Sequence, residues 1–528
     1  MNQSAVQPPT QQDMPEPQRW LLEMLKRNSH TVIGRQYDFS SIRGLRDYTD
    51  RVPVHRYADI EHLILRVAQG EPDVLFAGKA VAFERTSGTT GPERLIPYSL
   101  HSFADCRRCL LPYFQETVRA LNLASDSAFW ATSPVCCEPE TTAGGIPIGL
   151  TDEAFLGADA MPLFSSLSAV PLWVASLTDV REWQLLTLYH LVRARGLRLL
   201  FLWSPTFFLR LLDSLEQNPE PLLKLLEQGG VMASAPLPPD QPAADRCRLY
   251  LNNRDSRILW PELTLVDVWS HGTSAKFARQ LMQRLPQASL RPKGLMATEG
   301  IITIAPGTCS NNPVNPEQQG CPLARSFGLH EFLDGNGTIV QAEQLVPGQD
   351  YEVLLTTSSG LYRYALGDVV RCVGFQDTTP ELRFLGRTGV VSDLVGEKLS
   401  DAFAIACLST LSAYACLTPH PHADGNGTSP AYLLLLEADD IAEREVTNTV
   451  LQVEKALSEN PHYAYARRIG QLAALEGRRI ACLQKRLHDW AARKTPLCII
   501  KLPVLCPDPG QLEPSILAEL LQSGECTF

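Results

Sequence analysis

From residue 99 to residue 284 the chain repeats one pattern, a strand-sized apolar run followed by a longer stretch with apolar residues at helical spacing. Residues 129–132, 197–203 and 263–269 are the runs; residues 99–121, 181–195, 206–217 and 275–284 are the helical stretches. Parallel strands cannot be joined by a tight hairpin and need a crossover, which these helices supply. The pattern predicts an α/β fold with largely parallel sheets. At 528 residues the chain also exceeds the size at which one core stops growing, so more than one structural unit is expected.

The texture changes after about Pro306. Residues 327–333, 338–342, 351–357 and 368–375 are strand-like pieces separated by Gly and Asp turns, which predicts a β-rich subdomain. From about Gly386 helix and strand alternate again. A helix is expected over 400–415, a strand over 432–437, a helix over 443–458 and a last apolar strand over 498–505. A helix is also expected over 18–28 and a short strand over 80–83. The expected division is a disordered polar tail at 1–16, a large N-terminal domain at 17–385 and a small C-terminal α/β domain at 386–528, with a hinge near 386–398.

A net charge of −11 argues against a nucleic-acid binder, which needs clustered Lys and Arg to neutralise phosphates. No apolar run reaches membrane-spanning length, and residues 1–17 lack the apolar stretch of a signal peptide. A cytoplasmic protein without a membrane partner is expected; the oligomeric state is open, a monomer being compatible. The 14 cysteines are too few for a disulfide scaffold at this length. Cys106 and Cys109 have the spacing of half a zinc site but no completing ligands, so packing on a helix face is expected; Cys136-Cys137 and His420-Pro421-His422 carry no clearer metal signal.

The chemistry-bearing segments are spread along the chain. Thr86-Ser87-Gly88-Thr89-Thr90-Gly91, followed by Arg94, interleaves hydroxyls with glycines and then adds a cation. Glycines let backbone approach phosphate oxygens, to which hydroxyls and N–H groups donate. The spacing is not that of a Walker loop, and alone the segment fits a Ser/Thr-rich surface turn equally well. Gly294 to Gly300 places Thr298 beside Glu299; Tyr362 to Asp368 offers Tyr364, a cation and a carboxylate; Gly386-Arg387 and Asp393 to Lys398 fall at the expected border.

In this order the segments resemble the core motifs of adenylate-forming enzymes. Residues 83–99, 292–302, 360–375 and 386–403 are similar to the bacterial branch of the Gretchen Hagen (auxin-responsive) acyl-acid amido synthetase family. Gly144 to Gly149, Trp203 to Phe207 and Asn460 to Tyr463 agree with it, and the likeness runs from about Pro17 to the end. It implies a large N-terminal adenylation domain and a small, mobile C-terminal lid. It also implies a two-step reaction: ATP and a carboxylic acid give an acyl-adenylate and pyrophosphate, then an amine, usually an amino acid, takes the acyl group.

The resemblance implies roles as well. Thr86, Ser87, Gly88, Thr89, Thr90, Gly91 and Arg94 would line the ATP phosphates, Thr298 the α-phosphate, and Gly300 and Tyr364 the nucleotide. Glu299 would coordinate Mg²⁺, and Asp368 would accept from the ribose hydroxyls. Arg387 and Lys398 would lie near the hinge and nucleotide. Lys494, in Lys494-Thr495-Pro496, or Lys501 would be the lid lysine that reaches the phosphates. Three departures stand out: Arg94 replaces the loop's usual lysine, Leu329-His330 replaces an aromatic pair before Glu331-Phe332, and Leu497 replaces an arginine. Phe103, Trp130, Trp203, Phe207 and Phe208 could line the acyl pocket or the core, and Gly144 to Gly149 could approach the substrate. Two alternatives remain: capture of the acyl group on a thiol or hydroxyl, as in acyl-CoA ligases, and a non-catalytic nucleotide-binding regulator.

Overall fold

The structure is a computed structural model and describes residues 14–86, 94–131, 140–150, 155–305, 319–420, 430–493 and 495–522. The repeating pattern folds as expected. Strands Ser289–Pro292, Leu265–Val268, Leu199–Phe201 and Ala128–Trp130 lie side by side in that order, all parallel. Helices Leu100–Ala120, Val180–Arg193, Pro205–Gln217 and Ala275–Arg284 connect and cover them. Each start has a local cause. Ser99 accepts from the Ser102 N–H, Asp179 from those of Arg181 and Glu182, and Pro205 opens its helix at the position where its missing N–H costs nothing.

Phe207 and Phe208 belong to the core against one face of this sheet, with Trp183, Trp260 and Phe129. Trp260 donates to the Leu191 carbonyl at 2.8 Å. Trp130 packs on the other side with Phe164, Phe114 and Phe201, while Phe103 sits apart with Tyr98 and Phe155. The five aromatics therefore do not form one pocket wall.

The β-rich region is a six-stranded antiparallel sheet: Cys321–Pro322, Thr379–Arg387, Tyr364–Gln376, Asp350–Thr356, Leu329–Asp334 and Ile339–Gln341. The strand expected at 368 begins at Tyr364, so the tyrosine-rich motif enters the sheet. Thr379–Arg387 is an additional strand; only alternate residues such as Pro380 and Leu382 are buried, a weak signal beside its charged neighbours. Helices Val32–Gln36, Leu45–Arg51 and Tyr57–Ala68 pack on this region through Ile33, Tyr48 and Ile64.

The expected strand near residue 80 lies at Ala82–Arg85, paired antiparallel with Leu95–Tyr98. Residues 1–13, most of the expected tail, lie outside the described residues, and the first helix runs Glu16–Arg27.

The C-terminal part has a three-stranded sheet, Ala415–Pro419, Tyr432–Glu437 and Glu476–Ile480, with helices Asp401–Leu408, Glu443–Leu457, Pro461–Arg468 and Leu483–Ala491. Two expectations are corrected. The helix predicted over 400–415 stops at Leu408, because Ala415–Pro419 pairs along its whole length with Tyr432–Glu437. The strand predicted over 498–505 is a 3₁₀ turn at Leu497–Ile499 and an extended segment with one bridge, Leu505 to Leu417. Pro503 removes a donor a full ladder would need, and Pro496 and Pro507 bound the segment.

Cys106 and Cys109 are buried on one helix, and burial pushes their thiols up to about 12 and about 11. No group of three or more potential metal ligands gathers among the described residues. Cys136, Cys137 and His422 lie outside them. No described helix is long and apolar enough to cross a membrane.

Arg363 binds the N-terminal helices to the antiparallel sheet. Its guanidinium makes a fork with Glu331 at 2.9 and 3.1 Å and donates to the Thr49 and Val52 carbonyls. Arg363 is 6% and Glu331 1% exposed, so removing one charge strands the other in a medium that solvates it poorly. Arg363→Met should lower the unfolding free energy by about 3–5 kcal/mol, measured by denaturant titration. Adding Glu331→Gln should recover part of the loss; strictly additive losses would mean that the pair does not couple.

Candidate active site

Beyond the strand Ser289–Pro292 the chain turns at Gly294, whose φ is +89° and where a Cβ would lie 2.4 Å from the Thr303 carbonyl oxygen. The N–H of Leu295 is then held by the Thr303 hydroxyl at 2.7 Å. Met296–Ala297 pairs with Gly300–Ile301, which leaves Thr298 and Glu299 at the tip of a tight ribbon. A Cβ on Gly300 would come within 2.4 Å of the Phe327 ring, so the ribbon packs this close only with glycine there. Tyr98 donates to the Thr298 carbonyl from the neighbouring strand. Glu299 is 3% exposed, and burial pushes its carboxyl up to about 6, with Arg387 and Arg94 opposing the shift and Asp368 adding to it.

Asp368 and Arg387 face each other as a cross-strand pair. Arg387 Nε donates to Asp368 Oδ1 at 2.8 Å, with Asp368 buried and Arg387 half-buried. Gly367 reaches this point with φ +81°, and its carbonyl accepts from the Thr388 N–H at 2.7 Å. Asp368 and Glu299 hold the Arg387 guanidinium well above its ordinary range despite burial.

Of the phosphate-loop candidates, Ser87, Gly88, Thr89, Thr90 and Gly91 lie outside the described residues. The base of the loop is described: the Thr86 N–H donates to the Arg94 carbonyl at 2.9 Å, closing the hairpin. The Arg94 guanidinium lies 5.3 Å from the Tyr57 ring centre and acts on Glu299 and Tyr364. The loop therefore springs from a hairpin beside the Thr298-Glu299 tip. Tyr364 is fully buried; its hydroxyl lacks a hydrogen bond of good geometry, although Arg94 and Arg387 lie close enough to draw its pKa down against burial.

Lys501 joins this cluster from the C-terminal part. Its Nζ lies 4.1 Å from the Trp269 ring centre. Burial lowers its pKa, which Asp368 and Asp401 raise and Arg387 lowers further. Lys494 lies outside the described residues. Lys398 is exposed, at φ +47°, with no ion pair among the described residues. Its neighbour Glu397 is buried and holds the turn by accepting from the Leu394 and Val395 N–H groups and the Tyr432 hydroxyl. Asn460 caps Pro461–Arg468 and donates to the Glu397 carbonyl.

The described cluster thus sets Glu299, Asp368 and Asp401 against Arg94, Arg387 and Lys501. Asp401 and Trp269 are absent from the sequence-based set. An Asp after a capping Ser reads as an ordinary helix start, and a Trp after a strand reads as core. His330, one of the departures, is buried behind the ribbon and donates through Nε2 to the Ile301 carbonyl at 3.0 Å. Burial lowers its pKa to about 4, so it is neutral there.

A model of the GH3 family N-terminal domain matches residues 10–290, more than half of the chain. The chain belongs to the GH3 family. The GH3 family central domain also matches, at residues 322–387, ending on Arg387. Among GH3 relatives, the indole-3-acetic acid-amido synthetase GH3.4 of Arabidopsis thaliana is 23% identical over 72% of this chain and 68% of its own length. The probable indole-3-acetic acid-amido synthetase GH3.12 of Oryza sativa subsp. japonica is 24% identical over 94% of this chain and 91% of its own. In structure, the GH3 protein AtGH3.15 acyl acid amido synthetase in complex with 2,4-DB superposes with a TM-score of 0.80 at 19% identity, over 96% of this chain and 93% of that one. A 2-hydroxyisobutyryl-CoA ligase in complex with an acyl-AMP superposes with a TM-score of 0.56 at 11% identity, over 95% and 90%. These likenesses establish the fold.

The raised Glu299 carboxyl gives a pH prediction. A carboxylate whose folded pKa lies above its unfolded value costs stability once ionised, and the cost grows as pH rises from about 4.5 to about 6. Glu299→Gln should therefore raise the unfolding free energy of the ligand-free protein at pH 7.5 by on the order of 2 kcal/mol, with little difference at pH 4. A destabilised variant at pH 7.5 would mean that the ionised carboxylate is favourably held.

Proposed function

We propose that this protein is an ATP-dependent acyl-acid amido synthetase, and that the cluster around Asp368 and Arg387 is its adenylation site. The observation that carries the reading is the convergence of the Thr298-Glu299 tip, Asp368, Arg387 and Lys501, drawn from separate segments between residues 298 and 501, in a chain of the GH3 family. A carboxylate is a poor acyl donor, and joining its oxygen to AMP makes that oxygen a good leaving group. In-line attack on the α-phosphorus calls for positioning and for neutralisation of spreading charge, which a set of fixed cations supplies.

In this reading the loop from Thr86 to Gly91, with Arg94, grips the β- and γ-phosphates, and Thr298 donates to the α-phosphate. Asp368 keeps Oδ2 free of Arg387 and accepts from the ribose, as an ionised carboxylate can only accept. Tyr364 and Gly300 line the nucleotide. Glu299 suits Mg²⁺, which binds through one or two carboxylates while phosphates and waters complete its shell. It would neutralise phosphate charge there.

We assign the reaching lysine to Lys501, whose amine is acted on by Asp368, Arg387 and Asp401, and take residues 386–398 as the joint between a body at 17–385 and a lid at 386–528. A cytoplasmic location fits a reaction that consumes ATP. The substrates are a small carboxylic acid and an amino acid, and indole-3-acetic acid and 2,4-DB head the acid panel because the relatives are named with them.

Carboxylate-dependent exchange of labelled pyrophosphate into ATP, with no amine present, tests the first step. Exchange with at least one acid is expected, and amide rather than CoA thioester when amino acids and CoA are offered together. ATP binding without exchange for any acid would favour a regulator; thioester alone would favour an acyl-CoA ligase. Asp368→Ala should weaken ATP binding at least tenfold by calorimetry, and unchanged affinity would remove Asp368 from the ribose site. Lys501→Ala should slow exchange by more than tenfold with ATP affinity nearly intact; the same loss in Lys494→Ala alone would move the role to Lys494.

A further inference from the structure

Amide formation sets a demand that adenylation does not. An amino acid arrives as an ammonium ion, and its nitrogen has no lone pair until a base removes a proton. The cluster holds three carboxylates, and two are engaged. Asp368 is paired with Arg387 at 2.8 Å, and Glu299 is enclosed at the ribbon tip. Asp401 is the third, supplied by the C-terminal part of the chain, and it makes no ion pair within 4.0 Å among the described residues.

Its placement is rigid. Asp401 is the first residue of the helix Asp401–Leu408, its N–H donates to the Val390 carbonyl at 2.9 Å, and Ser400 caps the helix by accepting from Phe403. The helix start is pressed onto the end of the Thr379–Arg387 strand, where a Cβ on Gly386 would fall 2.9 Å from the Ala402 backbone. Asp401 is half-buried. The ionisable groups acting on it are Arg387, Lys501 and Asp368, with the Cys416 thiol behind and the Arg387 backbone N–H donating to it. In the same cluster the buried Tyr364 hydroxyl lacks a well-formed hydrogen bond. A buried polar group of this kind is normally satisfied, and Arg94 is the side chain placed to do so.

We propose that Asp401 is the base of the amide-forming half-reaction, its carboxylate receiving the ammonium group of the acceptor and taking one proton from it. This rests on the synthetase reading above. The proton passes from R–NH₃⁺ to Asp401, and the freed nitrogen lone pair bonds to the acyl carbon of the adenylate. The bond from that carbon to the phosphate oxygen breaks, its electron pair leaving on AMP. The second proton on nitrogen goes to water, and Asp401 returns its own to water as product departs. Burial pushes the Asp401 carboxyl up to about 6, so it is ionised at neutral pH yet more basic than an ordinary aspartate.

Full-length Asp401→Asn and Asp401→Glu separate this role from a structural one when exchange and amide formation are measured together. In Asp401→Asn, amide formation measured relative to the variant's own pyrophosphate exchange should fall about 10²–10⁴-fold. The variant should also lose the rise in amide formation through about pH 6. Asp401→Glu should restore part of the rate. Hydroxylamine, already unprotonated at neutral pH, should be acylated almost normally by Asp401→Asn. Amide formation within twofold of wild type in Asp401→Asn, or an equal loss of exchange and of hydroxylamine capture, would overturn the proposal. Absence of exchange in the wild-type protein would instead overturn adenylation itself, and this proposal with it.

Discussion

The ion pair between Asp368 and Arg387 ties the Tyr362 to Asp368 segment to the point where the chain leaves the antiparallel sheet. It joins the Tyr364–Gln376 strand to the last residue of Thr379–Arg387. Beyond Arg387 the chain enters the C-terminal part, whose first helix packs on Gly386. The guanidinium acts on Glu299, Asp401 and Lys501 alike. Without it, three carboxylates would face Arg94 and Lys501 alone. Charge balance at this point is what allows segments from both parts of the chain to meet.

The same balance leaves specific groups short of partners. Glu299 is buried with a raised proton affinity, and Tyr364 lacks a well-formed hydrogen bond. A fold selected only for stability would remove both, because buried polar groups left unsatisfied cost free energy. Their persistence beside Asp368 and Lys501 is consistent with a site that completes itself when nucleotide and acid bind. Lys501 also joins the two parts mechanically: its amine rests on Trp269, and three residues earlier the Cys498 carbonyl accepts from the Ser204 N–H at 3.0 Å. The Phe277 ring packs on Tyr414 as well, so the two parts share a buried apolar contact.

Much of the fold was legible where hydrophobic period and local caps agree. The helix Ala275–Arg284 has the expected bounds, and Pro205–Gln217 is displaced by one residue. The failures have physical causes. Thr379–Arg387 buries only alternate residues, so its apolar signal is half that of the parallel strands. The predicted helix at 400–415 ran into a strand because both are equally apolar there, and pairing with Tyr432–Glu437 decides the matter. The last predicted strand ignored three prolines. Within the candidate site, Asp368, Arg387, Thr298 and Glu299 could be picked out because motif order singled them out. Asp401 and Trp269 could not: their importance comes from tertiary neighbours such as Lys501, which local pattern does not encode.

The central claim is that the acid's own oxygen is joined to AMP before the amine attacks. Supplying the acid with oxygen-18 in its carboxylate, together with ATP and amine, and weighing the released AMP by mass spectrometry tests this directly. The account predicts one labelled oxygen in AMP for each amide formed, because the bond broken in the second step lies between the acyl carbon and that oxygen. Amide formation with unlabelled AMP, or label recovered in inorganic phosphate with ADP as the other product, would contradict it.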